Sequence, residues 1–215
     1  MKVKQEVVTQ DNQRISLGDS NNKKGYLFIK RVLDVVLSSI GLIVVAPLIL
    51  IVGILIKIES RGNIFYLQER VGLYGKEFKV IKLRSMRQDA ERKGAQWATI
   101  NDPRITRVGS FIRKTRIDEL PQLINIFKGE MSFIGPRPER EVFVREFEKK
   151  ISGFSNRVEV KPGLTGLAQV KGGYDLSPKE KWELDMEYIK IQGFKIDAYI
   201  ILKTIRVVIT GEGAR

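Results

Sequence analysis

The sequence has no cysteine and no histidine. Disulfides, thiolate and imidazole metal sites, Cys–His dyads and Ser–His–Asp triads are thereby excluded. Any catalysis falls to carboxylates, lysine, arginine, hydroxyls or a hard cation held by oxygen. Acidic residues are also in short supply: 25 Asp and Glu stand against 38 Lys and Arg, a formal net charge of +13. Three partners suit such an excess: nucleic acid, an anionic membrane surface and phosphorylated substrates. The chain offers no Arg/Lys-rich low-complexity arm, no zinc finger and no aromatic RNA-binding motif. It has no internal repeat, and its 215 residues allow one full domain and a short appendage.

What the chain does have is one long apolar run. Residues 1–25 form a polar tail with Asp11, Asn12, Gln13, Asn21 and Asn22. Lys23, Lys24, Lys30 and Arg31 then precede Val32–Ile56, about 25 residues with a single charge, Asp34. The run lies too late and extends too far for a signal peptide. Its length suffices to cross a bilayer, which takes about 20 residues. Pro47 lies inside it, and proline kinks or breaks a helix. Both flanks are basic, with Lys57, Arg61 and Arg70 following, so the positive-inside rule favours both ends on the cytoplasmic side. A helix that enters, breaks at Pro47 and returns satisfies this. Val32–Ala46 would rise roughly 22 Å as a helix, less than the roughly 30 Å hydrocarbon core. Ser38, Ser39 and Gly41 suit close packing near the break. On the run alone, an ordinary transmembrane helix with a tolerated kink remains open. A nucleic-acid function has no use for such a segment.

Beyond the run the composition is that of a globular domain. Ile64–Gln68 and Phe78–Lys82 read as strands joined by a turn at Gly72–Lys76. Asp102-Pro103 marks a turn or helix start. Val108, Phe111 and Ile112 share a helical face beside Arg107, Arg113, Lys114 and Arg116, a basic amphipathic helix suited to a membrane surface or to covering a core. Leu120, Leu123, Ile124 and Phe127 repeat at helical spacing and end at Gly129. Phe133–Gly135 reads as a short strand and Glu139–Lys150 as a helix. Lys161-Pro162-Gly163 and Gly172-Gly173 read as loops. Ser177 caps a helix through Ile191, and Asp197–Ile209 is a last amphipathic helix.

The residues with chemistry cluster around Ile117-Asp118-Glu119-Leu120-Pro121-Gln122. Asp118 stands where a helix N-cap belongs, with Pro121 in the first turn. Helix N-termini attract anions, and a carboxylate there can hold a divalent cation. Arg113 and Arg116 lie just upstream and supply positive charge for phosphates. Lys82 and Arg84 follow a strand, and Arg137 is mounted in the stiff Gly135-Pro136-Arg137-Pro138 turn. Each feature alone also reads as a helix cap or a surface ion pair.

Several longer runs occur in order. They are Asn101-Asp102-Pro103-Arg104-Ile105-Thr106-Arg107-Val108-Gly109, Asp118–Leu123, Lys128-Gly129-Glu130-Met131-Ser132-Phe133-Ile134-Gly135-Pro136-Arg137-Pro138, Lys161-Pro162-Gly163-Leu164-Thr165-Gly166-Leu167-Ala168-Gln169-Val170, and the ending Leu202-Lys203-Thr204. Together they resemble the bacterial sugar transferases, monotopic polyprenyl-phosphate phosphoglycosyl transferases, in their compact form, over residues 26–214. The resemblance implies an α+β, mostly helical fold with a re-entrant membrane hairpin over 26–60, broken at Ala46 and Pro47. A cytoplasmic catalytic domain with small strands and interfacial amphipathic helices would fill 61–215, on the inner membrane. It implies Mg²⁺ dependence and a catalytic dyad of Asp118 and Glu119. Asp118 would attack the β-phosphate of a UDP-sugar, release UMP, and pass the phosphosugar to polyprenyl (undecaprenyl) phosphate; a direct ternary displacement is the alternative. Asp118 would also ligate the metal. Motif position assigns Lys82, Arg84, Arg113, Glu130, Arg137 and Lys161 to substrate binding, although relatives often carry arginine at the position of Lys161. Pro138-Glu139-Arg140-Glu141 leans toward a hexose donor. No nucleic acid is expected as partner, and a homodimer is left open. A membrane scaffold in which the dyad only caps a helix is the competing reading.

Overall fold

The computed structural model describes residues 20–92, 94 and 102–210. Most of the expected 1–25 tail, and Asn101 of the first motif, lie outside the described residues. The N-terminal helix α1 (Ser20–Glu59) runs for 40 residues, about 60 Å at 1.5 Å per residue. The expected break at Ala46 and Pro47 is not seen, since Pro47 lies inside the continuous helix. Proline forfeits one N–H and crowds one carbonyl. Straight and branched aliphatic residues on both sides let the remaining ladder continue.

One stripe of α1 rests against the rest of the chain from end to end. Tyr26, Asp34, Ser38, Val52 and Ile56 are buried, and Leu42, Val45 and Ile49 pack on neighbouring cores. From Asp34 on these positions recur every three or four residues, and Tyr26 lies two such steps earlier, as one helical face requires. The other face shows apolar side chains outward, among them Phe28, Ile43, Val44, Leu50 and Ile58. The charges near its start are engaged within the protein. Asp34 accepts from the Ser132 hydroxyl and the Phe133 N–H, both at 3.1 Å. Arg31 donates to the carbonyls of Ile126 and Phe127 at 2.7 and 2.8 Å. Lys30 reaches Asp197 at 2.6 Å, where the hydroxyls of Tyr26 and Tyr188 also donate.

Strands β1 (Phe65–Val71) and β2 (Glu77–Leu83) form an antiparallel hairpin with Phe65 opposite Leu83 and Tyr66 opposite Lys82. Helix α2 (Arg107–Lys114) starts at Thr106, whose hydroxyl accepts from the Gly109 N–H at 2.9 Å. A 3-10 turn, Ile117–Gln122, leads into α3 (Leu123–Lys128), which ends at Gly129 in the left-handed region. Strand β3 (Ser132–Ile134) pairs in parallel with β4 (Gly163–Thr165). Their crossover carries α4 (Glu141–Glu148) and a second 3-10 turn, Phe154–Glu159. The two strands approach so closely that a Cβ on Gly163 would sit 2.1 Å from the Gly135 nitrogen. This contact explains why two of the motif runs each present glycine there. Helices α5 (Leu167–Lys171), α6 (Pro178–Ile191) and α7 (Phe194–Thr210) complete the chain. A capping box of Ser177 and Glu180 starts α6.

Three apolar clusters hold these elements. Phe78, Val80, Leu123, Ile126 and Met131 form one; Ile134, Leu167, Tyr188, Ile189 and Ile200 a second; Val52, Ile56, Leu83 and Ile112 a third. Helix α1 contributes to the first and third. The result is the expected mostly helical α+β fold. Sequence periodicity did not reveal β4 or α5, each of which is too short to show a period.

Candidate active site

The site forms where the hairpin, the Ile117–Gln122 turn and the β3–α4 connection meet. Alternation along β1 places Tyr66, Gln68 and Arg70 on one face, with Lys82 beside Tyr66 across the pair. Arg116 occupies the residue before the turn, with φ of 57°. Asp118, expected as the cap, lies inside the turn and caps nothing, because the left-handed Arg116 moves the start of the turn two residues upstream of it.

The two carboxylates of the dyad have different surroundings. Lys82 Nζ lies 3.2 Å from Glu119 Oε1, and the Arg137 guanidinium pairs with the same carboxylate. Burial raises the Glu119 pKa, but Arg137 and then Lys82 outweigh it and hold the carboxyl below the ordinary range. Asp118 is 8% exposed. It makes no side-chain hydrogen bond or ion pair among the described residues. Burial, then the Glu119 charge, push its carboxyl up to about 6. Arg137 is itself braced: Arg157 donates to its carbonyl at 3.0 Å and pairs with buried Asp185. Burial pushes Asp185 up to about 6 against the pull of Arg157.

Asp118 opens onto a cavity of about 420 Å³. Lys82, Arg113, Arg116 and Arg137 line it with Asp118, and Arg70, Arg87, Arg104, Arg140, Arg157 and Lys181 extend the positive wall. Tyr66 and Phe143 supply aromatic surface. The other acids on the wall are each tied to an arginine: Glu139 to Arg70, Glu91 to Arg140, Asp185 to Arg157. Such a cavity suits a ligand with several negative charges and an attached ring.

Two of the substrate-binding expectations, Glu130 and Lys161, land elsewhere, and a third, Arg84, lines the cavity but spends its hydrogen bonds on the fold. Arg84 is buried, and its guanidinium donates to the Ser60 carbonyl and hydroxyl and the Arg61 carbonyl at 2.7, 2.9 and 2.8 Å, closing the end of α1. Glu130 accepts from Asn125 Nδ2 at 2.7 Å, and Asn125 in turn bonds Lys79 and Ile81 of β2. Lys161 has Arg31 and Asp34 as neighbours, and burial lowers its pKa. Neither Glu130 nor Lys161 lines the cavity. Conversely, Arg70, Arg140 and Arg157 line the cavity although the sequence assigned none of them a substrate contact: Arg70 read as a basic flank, Arg140 as part of a run bearing on donor choice, and Arg157 carried no signal.

No group of three or more carboxylates converges among the described residues, so no all-protein metal cage exists there. Mg²⁺ does not need one. It is commonly held by one or two carboxylates with substrate phosphates and water. Asp118, the cavity carboxylate without a cationic partner at bonding distance among the described residues, fits that requirement.

The family model described as bacterial sugar transferase matches residues 25–211. A protein of Aeromonas hydrophila named UDP-N-acetylgalactosamine-undecaprenyl-phosphate N-acetylgalactosaminephosphotransferase is 47% identical over 88% of this chain and 46% of its own length. A Bacillus subtilis (strain 168) protein, named provisionally as an undecaprenyl-phosphate N-acetylgalactosaminyl 1-phosphate transferase, is 51% identical over 74% of this chain and 87% of its own. The UDP-glucose:undecaprenyl-phosphate glucose-1-phosphate transferase of Escherichia coli (strain K12) is 38% identical over 82% of this chain and 39% of its own. The chain thus spans less than half the length of two of these three relatives. The family match covers residues 25–211, most of the chain, and this chain therefore belongs to the bacterial sugar transferase family.

Proposed function

We propose that the protein transfers a sugar 1-phosphate from a UDP-sugar to a polyprenyl phosphate, undecaprenyl phosphate in particular, releasing UMP. The observation that carries this reading is the split dyad. Glu119 is held ionised by Lys82 and Arg137, while Asp118 faces a cationic cavity with no hydrogen-bond or ion-pair partner among the described residues. In the first step Asp118 attacks the phosphorus that bears the sugar. The bond from that phosphorus to the bridging oxygen breaks, UMP leaves with the bridging oxygen, and the phosphosugar stays on the Asp118 carboxylate. In the second step an oxygen of the lipid phosphate attacks the same phosphorus and displaces the carboxylate, giving a lipid-linked diphosphate sugar. No proton has to be taken from a hydroxyl, which fits a chain without histidine. Splitting one displacement into two is the gain from a covalent nucleophile. Lys82, Arg113 and Arg137 offset the charge of anion attacking anion. Glu119 keeps Lys82 and Arg137 in place. Asp118 and the donor's phosphate oxygens would hold Mg²⁺, which would neutralise charge on the diphosphate.

The apolar outer face of α1 supports embedding in the inner membrane. A helix of about 60 Å is twice the hydrocarbon thickness, yet residues near both its ends contact the catalytic part. That geometry favours both ends on the same, cytoplasmic face over a single crossing. The names of the relatives at 47% and 51% identity put N-acetylhexosamine donors first for testing, ahead of the hexose suggested by Pro138–Glu141.

The test is UMP release by protein in nanodiscs given Mg²⁺, undecaprenyl phosphate and a panel of UDP-sugars. Turnover with one donor, trapping of a phosphosugar on the protein without lipid acceptor, and loss of both in Asp118→Asn are expected. Full turnover by Asp118→Asn would remove the nucleophile, and silence across the panel from folded protein would favour the scaffold reading.

A further inference from the structure

We propose that Arg116 binds a phosphoryl oxygen of the donor's diphosphate, and that its left-handed backbone is retained to aim the side chain there. The proposal rests on the transferase reading. Helix α2 ends at Lys114, and the chain must reverse to enter the Ile117–Gln122 turn. The reversal is hydrogen-bonded: Thr115 N–H donates to Phe111 O at 3.1 Å, Arg116 N–H to Arg113 O at 3.2 Å, and Glu119 N–H to Arg116 O at 3.1 Å. Arg116 therefore sits at φ 57° and ψ 16°, where a Cβ crowds its own backbone. Helices that end this way usually place glycine at the left-handed position. This chain does so at Gly129 (φ 85°), and Gly153 (φ 78°) holds the left-handed position before the second 3-10 turn as Arg116 does before the first. At the one such reversal that abuts the dyad it carries arginine instead.

The backbone alone does not explain that choice, since glycine makes the same hydrogen bonds without strain. The side chain does. Arg116 lines the cavity together with Arg113 and Asp118. Glu119 has Lys82 and Arg137 as its direct ion-pair partners, and Arg116 adds a smaller pull on it than either, which leaves the Arg116 charge available to the cavity as well. An anionic nucleophile approaching a diphosphate does need charge opposite it. A guanidinium fork held on a rigid reversal can grip two non-bridging oxygens.

The experiment compares wild type, Arg116→Gly, Arg116→Ala and Arg116→Lys in nanodiscs, measuring donor KM, kcat and the thermal shift produced by UDP with Mg²⁺. Arg116→Gly keeps the left-handed backbone and is expected to melt no lower than wild type. Its donor KM rises about tenfold and its UDP shift shrinks, while Arg116→Lys restores part of the loss. Arg116→Ala loses as much donor affinity and melts lower, because its backbone is still strained. Wild-type KM and UDP shift in Arg116→Gly would overturn the proposal, and the same result with a defect only in Arg116→Ala would assign the residue a backbone role instead. A wild-type protein that turns over no donor and is not shifted by UDP sinks the transferase reading and this role with it.

Discussion

Glu119 has Lys82 at 3.2 Å and Arg137 closer still, enough to outweigh the burial that would otherwise neutralise it. Its carboxyl is held below its unfolded pKa of about 4.3, so it stabilises the fold above that pH and loses the contribution as pH falls further. Glu119→Gln takes the carboxylate away from both Lys82 and Arg137. It is expected to cost about 3 kcal/mol or more at neutral pH, with the deficit in thermal melts shrinking below about pH 4. Asp118 behaves oppositely. Its pKa is raised to about 6, so its contribution is favourable below about pH 4 and is lost as pH rises through 6. At pH 7 the ionised carboxylate is a net cost. Asp118→Asn should therefore raise stability by up to about 3 kcal/mol at pH 7 while lowering turnover by on the order of a thousandfold or more. Melts at pH 4 and 7 check the first half, since the gain should vanish at the lower pH. Because the nucleophile must be ionised, wild-type kcat/KM should fall as a single proton is taken up below about pH 6. A flat profile down to pH 5 would mean that a different group limits the reaction.

At the scale of elements, the end of α1 is tied to β2 through one side chain. Arg84 satisfies the Ser60 and Arg61 carbonyls, which lie just past the last turn of the helix and have no partner along it. Arg84→Ala removes charge-assisted bonds from a buried setting. It is expected to cost about 2–4 kcal/mol, seen as a lower melting temperature rather than as a raised donor KM. If donor KM rises sharply with unchanged melting, the side chain reaches substrate after all. The β3–β4 pair acts similarly at the other side of the site. Gly135 and Gly163 bring the two strands into contact, and the Gly-Pro-Arg-Pro turn that follows β3 presents Arg137 to Glu119. Arg157 secures the back of that turn.

For the whole molecule the open question is how a helix longer than a bilayer is accommodated. Its inner stripe is committed to the catalytic part from Tyr26 to Ser60, and its outer face is apolar. A single crossing would tear one of those ends from its contacts. The absence of cysteine makes the topology testable with one introduced thiol at a time. Lys24→Cys and Arg61→Cys are expected to resist an impermeant maleimide in intact cells and to react after permeabilisation. Labelling of one of them from outside would establish a crossing and exclude the same-face arrangement.

The sequence by itself determined the local elements. The β1–β2 hairpin, the amphipathic α2, the cap of α6 and the length of the apolar run follow from interactions between residues a few positions apart, which composition and spacing encode. It also determined the chemistry on offer, since a chain without cysteine or histidine must rely on carboxylates and cations. Which cation serves which partner was decided only by tertiary structure. Glu130 and Lys161 looked like site residues and became supports or neighbours of α1 and β2, Arg84 lines the cavity yet gives its hydrogen bonds to the end of α1, and Arg70 and Arg157 joined the wall with no substrate role legible in the sequence. The reason is distance along the chain: Glu119 meets Lys82 from 37 positions away and Arg137 from 18, and Arg157 meets Asp185 across 28. Coulomb and hydrogen-bond energies depend on separation in space, and folding alone sets that separation.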